Sequence, residues 1–349
     1  MLAGVTCSPV GPYLTSFGLR GDLNGSRLCL ADEMTAADEA TRLKSARGFR
    51  AELDYLLPEG SAEVGPRVVD WFTAAAKQLA GEFIAEFPAK GLVSKGPHDP
   101  TGGPFGPVGS RWCSLLVIGQ GERRLSKSLR AWSPKNWERF LSHATEVSVE
   151  MSAKFSTLNR FGHAGVPSLT ISAYRQRPPE ARQWLRLDAT YTVGTLGDTD
   201  PIPDEVPESW REFLLTQADR WPAVFGFLAD DTSGAGTRTP LEVSRATFPE
   251  ETLPLSDSQV RGYSWLTVTS AGVLQRLGGI NAVRTSGAFA NAVELASGGA
   301  VLQATPRLSE YEGQAVRRVF EALAPVLPTD APWPDAFNRF KLVYEAPRR

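Results

Sequence analysis

Apolar and polar positions alternate with period two early in the chain. Phe49, Ala51, Leu53, Tyr55 and Leu57 are interleaved with Arg50, Glu52 and Asp54. Such alternation predicts a half-buried strand. Pro58-Glu59-Gly60 turns it, and Pro66 opens a helix at the favoured first position. Val68, Phe72, Ala75, Leu79 and Phe83 recur at three and four residues, so this helix has one core face, with Trp71 beside it. Residues 112–118 read as a short apolar strand followed by a tight turn at Gly119-Gln120-Gly121. Ser133-Pro134 starts a helix whose inner face is Trp137, Phe140 and Leu141. Three alternating runs follow, centred on Met151, Ile171 and Ala189. One apolar and one polar face in each predicts an antiparallel meander covered by helices on one side. Residues 205–220 predict a helix with Trp210, Phe213 and Leu214 on one side. Residues 223–229 are apolar on both faces and predict a central strand. Residues 241–260 are poorly patterned.

The stretch 261–305 is the most legible. Residues 263–269 are rich in aromatic and β-branched side chains and read as a strand containing Trp265. Ser270 is a good N-cap for a short helix with Val273, Leu274 and Leu277 on its apolar stripe. Gly278 and Gly279 stop it, since glycine accepts the left-handed conformation of a helix C-terminus. Residues 289–295, Ser297-Gly298-Gly299 and 300–304 predict a hairpin at a sheet edge. Ser309 and Glu312 have the spacing of a capping box, and Val316, Phe320 and Leu323 carry the next helix onto the sheet. The expected fold is α+β: a mainly antiparallel sheet flanked by amphipathic helices in a single large domain, 48–327. Residues 1–47 form a partly ordered extension in this reading, and 328–349 a proline-rich tail.

The order GYSWL (262–266), Leu277-Gly278-Gly279, a glycine-turned hairpin and a final helix resembles bacterial immunity proteins of type VI secretion and polymorphic-toxin systems. In particular it resembles the family paired with VRR-Nuc nuclease toxins, and the element order is similar over 48–327. The departures are residues 1–47, the glycine-rich loop 90–110 and the tail after Pro328. The resemblance implies a cytoplasmic antitoxin that binds a cognate toxin effector, usually a nuclease, and blocks it. It implies no cofactor, no metal and no catalytic residues. An adaptor or chaperone for a secreted effector would share the fold. A hydrolase of unrecognised type is the third expectation.

Composition leaves that reading in place. Of the 349 residues, 42% are hydrophobic and 22% charged, with a net charge of −2. These values suit a globular protein and exclude a strongly basic nucleic-acid binder. Cys7, Cys29 and Cys113 match no zinc spacing and are odd in number for a disulfide framework. They are expected to be reduced thiols in the cytoplasm. No stretch approaches the length of a membrane span, and the start has no signal-peptide pattern. His98-Asp99 in the loop 90–110 lacks a second ligand at metal spacing, and His163 is expected to be structural. Gly119-x-Gly121 has Arg124 where a dinucleotide fingerprint needs glycine.

Charge is distributed unevenly. From Asp188 to Val260 there are fourteen acidic residues, four arginines and no lysine; from Arg111 to Arg186, thirteen basic and five acidic residues. Asp198, Asp200, Asp204, Glu205, Glu208 and Glu212 surround one loop and helix start, and Asp230-Asp231 follow the next strand. A nuclease carries a basic groove, so these eight acids are the expected partner-binding set. Some acids at a helix start simply meet the helix dipole favourably.

Overall fold

The alternating run at 49–57 becomes the strand on which the sheet is centred. The computed structural model describes residues 46–58, 60–85, 105–120, 125–145, 148–176, 182–195, 204–229 and 238–329. Strand β1 (Ala46–Pro58) has neighbours on both sides. The other strands are β2 (Arg111–Gln120), β3 (Leu125–Ala131), β4 (Ser148–Leu158), β5 (Ala164–Gln176), β6 (Arg182–Thr195), β7 (Phe225–Ala229), β8 (Leu266–Thr269), β9 (Asn291–Glu294) and β10 (Ala300–Gln303). They form one ten-stranded sheet in the order β3-β2-β4-β5-β6-β1-β7-β8-β10-β9. Every pairing is antiparallel. The fold is therefore α+β on a single sheet. β7 is central and buried on both faces, as its unbroken apolar sequence requires.

One face of the sheet is apolar and helix-covered. Phe49, Ala51, Leu53 and Tyr55 align with Tyr191, Ala189, Leu187 and Leu185 of β6. Over them lie α1 (Val64–Gln78) and α4 (Glu205–Arg220), with α3 (Pro134–Ser142) alongside. Trp71 of α1 packs on Phe213 of α4 with ring centroids 4.8 Å apart, and Phe72 meets Phe140 of α3 edge-on at 4.9 Å. Trp210 of α4 contacts both Phe49 and Tyr191. Ser133 caps α3 as expected, accepting a hydrogen bond from Asn136 N at 3.1 Å.

Several expectations are corrected. Helix α1 begins at Val64, not Pro66, which sits in its first turn where its missing N–H costs nothing. The chain bends at Ala80, so Phe83 belongs to a separate helix, α2 (Gly81–Ala85). β3 arises from Leu-Ser-Lys-Ser-Leu-Arg-Ala, whose pattern is too weak to read alone; its pairing with β2 fixes it. The 241–260 segment holds α5 (Pro240–Ser244), α6 (Pro249–Thr252) and a 3-10 turn. The strand expected over 263–269 is confined to β8. Gly278 and Gly279, at φ of 85° and 84°, end α7 (Ala271–Arg276), but α8 (Gly279–Thr285) follows at once. The Ser309–Glu312 capping box does not form: Arg307 N donates to Glu310 instead, and α9 (Gln314–Leu323) starts after Gly313.

The largest correction concerns β1. Its polar positions were expected to face solvent. Glu52 and Asp54 are instead buried, because the segment 240–261 lies over that side of the strand.

Candidate functional site

The polar face of β1 organises a buried ionic cluster. The period of two places Arg50, Glu52 and Asp54 on one side. Antiparallel register sets Glu52 opposite Asp188 and Asp54 opposite Arg186 on β6, and opposite Phe227 and Phe225 on β7. Arg261, just ahead of β8, reaches back over Phe225, its guanidinium carbon 5.3 Å from the ring centroid. Its Nη1 donates to Glu52 at 3.3 Å and also to Asp54. Its Nε and Nη2 donate to the two oxygens of Glu242 at 2.8 and 3.0 Å, the paired geometry guanidinium groups favour. Arg50 Nη2 donates to Glu52 at 2.6 Å, and Arg186 pairs with Glu52 at 3.2 Å and Asp54 at 3.5 Å.

Glu242 is placed by its own helix. Thr239 and Glu242 form a capping box at the start of α5: Thr239 N donates to Glu242 at 2.7 Å, and Glu242 N to the Thr239 hydroxyl at 3.2 Å. The Thr239 hydroxyl in turn donates to Arg261 O at 2.8 Å, and Thr252 of α6 donates to Glu242. α5, α6 and the approach to β8 are thus laced together before they touch the sheet.

Four carboxylates (Glu52, Asp54, Asp188 and Glu242) share this cluster with three guanidinium groups (Arg50, Arg186 and Arg261). Full ionisation would leave one negative charge uncompensated in a buried site, which is costly. Burial pushes Asp54 up to about 7, opposed by Arg261 and helped by the charge on Glu52. Burial likewise raises Asp188 to about 6, against the pull of Arg50. Glu52 is also pushed up by burial, but Arg186, Arg50 and Arg261 outweigh that and bring it down to about 2. The cluster therefore keeps Glu52 ionised and leaves Asp54 divided between its protonated and charged forms near neutral pH, with Asp188 giving up its proton about a unit lower. Its arginines are consumed in fixed pairs, which suits fastening the 240–261 segment to the sheet. A cavity of about 180 Å³ adjoins it, with Arg245, Thr247, Glu251, Thr252, Gln259 and Arg261 in its wall.

The acids expected to bind a partner divide into three groups. Asp198, Asp200, Asp230 and Asp231 lie outside the described residues. Asp204, Glu205 and Glu212 are exposed at and near the start of α4. Among the described residues Asp204 pairs with Arg307 at 3.7 Å, with both side chains largely solvated. Glu208 is committed within its helix, accepting from Arg211 Nε at 2.8 Å. Trp265 is buried and donates its indole N–H to Thr305 O at 2.9 Å. His163 packs against Phe105 beside a backbone turn. Cys113 is buried, and burial raises its thiol well above its ordinary value; Cys7, Cys29 and His98-Asp99 lie outside the described residues. Among the described residues no group of three or more potential ligands is arranged to hold a metal, and no helix is long and apolar enough to cross a membrane.

Sequence reading missed Glu52, Asp54, Glu242 and Arg261 as a unit. Arg261 and Asp54 are 207 positions apart, and their encounter depends on β7 and β8 extending the sheet from β1. The one local signal was the Thr239–Glu242 spacing.

No protein-family model matches the chain, and no curated protein matches it. Among solved structures, it is similar to the crystal structure of Ara h 8.0201, at 14% identity and a TM-score of 0.18, over 47% of this chain and 90% of that one.

Proposed function

We propose that this chain is a non-catalytic binding protein of the immunity type, which acts in the cytoplasm by binding and neutralising a cognate toxin effector with nuclease activity. The observation that carries the reading is a division of labour among acids. The carboxylates of the sheet interior are tied to arginines, whereas Asp204, Glu205 and Glu212 stand in solvent along one end of α4. A nuclease must present a basic groove to phosphates, and exposed acids on an inhibitor steer it into that groove and compete for it. The helix start adds nothing by its own dipole, which is positive there; the side-chain charges have to overcome it. The order GYSWL, Leu277-Gly278-Gly279, hairpin and final helix, which resembles that of nuclease immunity proteins, supports the same reading.

The test is reversal of Asp204, Glu205 and Glu212 to lysine, with the association rate for the cognate nuclease effector measured over a salt series. We expect a loss of about tenfold or more at low salt that shrinks as salt screens the charges. Glu208→Gln, which removes one acid already paired with Arg211, is expected to lose much less than the triple reversal. An unchanged rate for the triple variant removes α4 from the interface.

A further inference from the structure

Three of the exposed large apolar side chains stand at one end of the sheet: Val108 at 65% exposure, Phe161 at 63% and Val166 at 39%. Phe161 occupies the turn between β4 and β5. That turn is rigid. Asn159 Oδ1 accepts from Phe161 N at 2.9 Å and from His163 N at 3.1 Å, and Gly162 N donates to Asn159 O at 2.8 Å. A second turn is stitched to it, with Phe105 N donating to Gly162 O at 2.7 Å and Gly109 N to Leu158 O at 2.8 Å. This second turn carries Val108. Behind both lies a small separate core of Phe105, Trp112 and Leu158, with the first two rings stacked at 4.5 Å. Two turns are thus fixed from behind while their apolar tips face water. Arg160 lies over the Phe161 ring, its guanidinium carbon 4.7 Å from the centroid.

The position relative to α4 decides what this feature fits. Ser168 of β5 pairs with Thr192 of β6, so β6 ends at the same edge of the sheet at which β5 begins. α4 is the next described element after β6, and its Trp210 rests on Tyr191 and Phe49. Neighbouring strands lie about 4.8 Å apart, which separates the β4–β5 turn from the strands under α4 by roughly 10–15 Å. A standard interface, about 800 Å² per partner and so roughly 30 Å across, covers both.

We infer that the Phe161–Val108 turn pair is an apolar anchor for the same effector, entering a recess beside its basic groove whose rim carries a carboxylate for Arg160. This rests on the reading of the chain as an effector-binding protein. A rigid aromatic with an arginine beside it is the composition typical of binding hot spots, and its pre-formed backbone keeps the ordering cost of docking low. A second copy of this chain is disfavoured as occupant, because two-fold docking of the tips would bring Arg160 against Arg160.

The experiment titrates a catalytically inactive form of the cognate nuclease effector with the full-length protein and its Phe161→Ser, Val108→Ser and Arg160→Glu variants. Phe161→Ser is expected to weaken binding by about 30-fold or more, a hot-spot effect, with the melting temperature unchanged because the ring is solvent-exposed. Arg160→Glu should weaken it as well, and Val108→Ser less. If Phe161→Ser impairs folding, the other two variants carry the test. Binding within twofold of wild type for all three removes the turns from the interface and leaves the α4 reading intact, whereas no binding by the wild-type chain overturns both. Phe161-dependent binding to phosphatidylserine–phosphatidylcholine vesicles, or a Phe161-dependent dimer in sedimentation, overturns the assignment to an effector.

Discussion

Removing the Arg261 guanidinium would leave Glu52, Asp54 and Glu242 buried around a missing shared cation. Breaking a buried pair from one side costs about 3–5 kcal/mol, so Arg261→Met is expected to lower unfolding free energy by that order in denaturant titration. The carboxylates are not equivalent. Asp54 is raised to about 7 and Glu52 lowered to about 2, so Asp54→Asn, which mimics the protonated acid, should cost less at pH 7 than Glu52→Gln. The sign of the pH dependence follows from linkage. Between its unfolded value near 4 and its folded value, Asp54 binds more protons in the folded chain, so stability falls as pH rises from about 5 to 7. Asp188 acts in the same direction up to about 6, whereas Glu52 adds stability that is lost only as pH falls from about 4.5 towards 2. Asp54→Asn is expected to flatten the slope between pH 5 and 7; a steeper slope in that variant would put the proton elsewhere. None of these residue roles could be read locally, because a polar alternation in a strand looks the same whether water or Arg261 faces it.

At the scale of elements, local signals were legible where the chain satisfies its own hydrogen bonds. Ser133 and Ser270 cap their helices, residues 205–220 are the helix their stripe predicts, and the hairpin around Gly298 forms. The failures have two causes. β3 is fixed by its pairing with β2 and the turn-rich 240–255 segment by Arg261 from outside it, whereas α9 starts late because Arg307 N binds Glu310 in a local turn ahead of Gly313. Trp265 shows both sides of this. It was expected within a strand, yet it precedes β8 and is held, buried, through its indole N–H by Thr305 beyond β10. Trp265→Ala should therefore remove core packing and leave the Thr305 carbonyl without that donor, at a cost of about 3–5 kcal/mol. An unchanged melting temperature would contradict that placement.

Across the whole molecule, β1 is the joint. It pairs with β6 along nearly its full length and with β7 from Arg50 to Asp54, so the β2–β6 meander and the β7–β10 strands meet on it. A fragment ending at Thr195 would keep β1–β6 but lose β7, the 240–261 cover and Arg261, exposing the strand edge and leaving Glu52 and Asp54 short of a cation. Residues 48–195 alone are expected to show no cooperative thermal transition; a native-like melt would show two independent units. The α+β class and the antiparallel meander were legible because β4, β5 and β6 alternate cleanly. The central place of β1 was not, since nothing near it in sequence encodes β7 as a neighbour.

The claim that this molecule neutralises a nuclease effector is tested most directly by titrating the effector's nuclease activity with the purified chain. Activity is expected to fall linearly to background at one equivalent, with salt shifting the association rate more than the end point. Full nuclease activity retained in a saturated complex would make the chain an adaptor or chaperone. Full activity with no complex would contradict the account altogether.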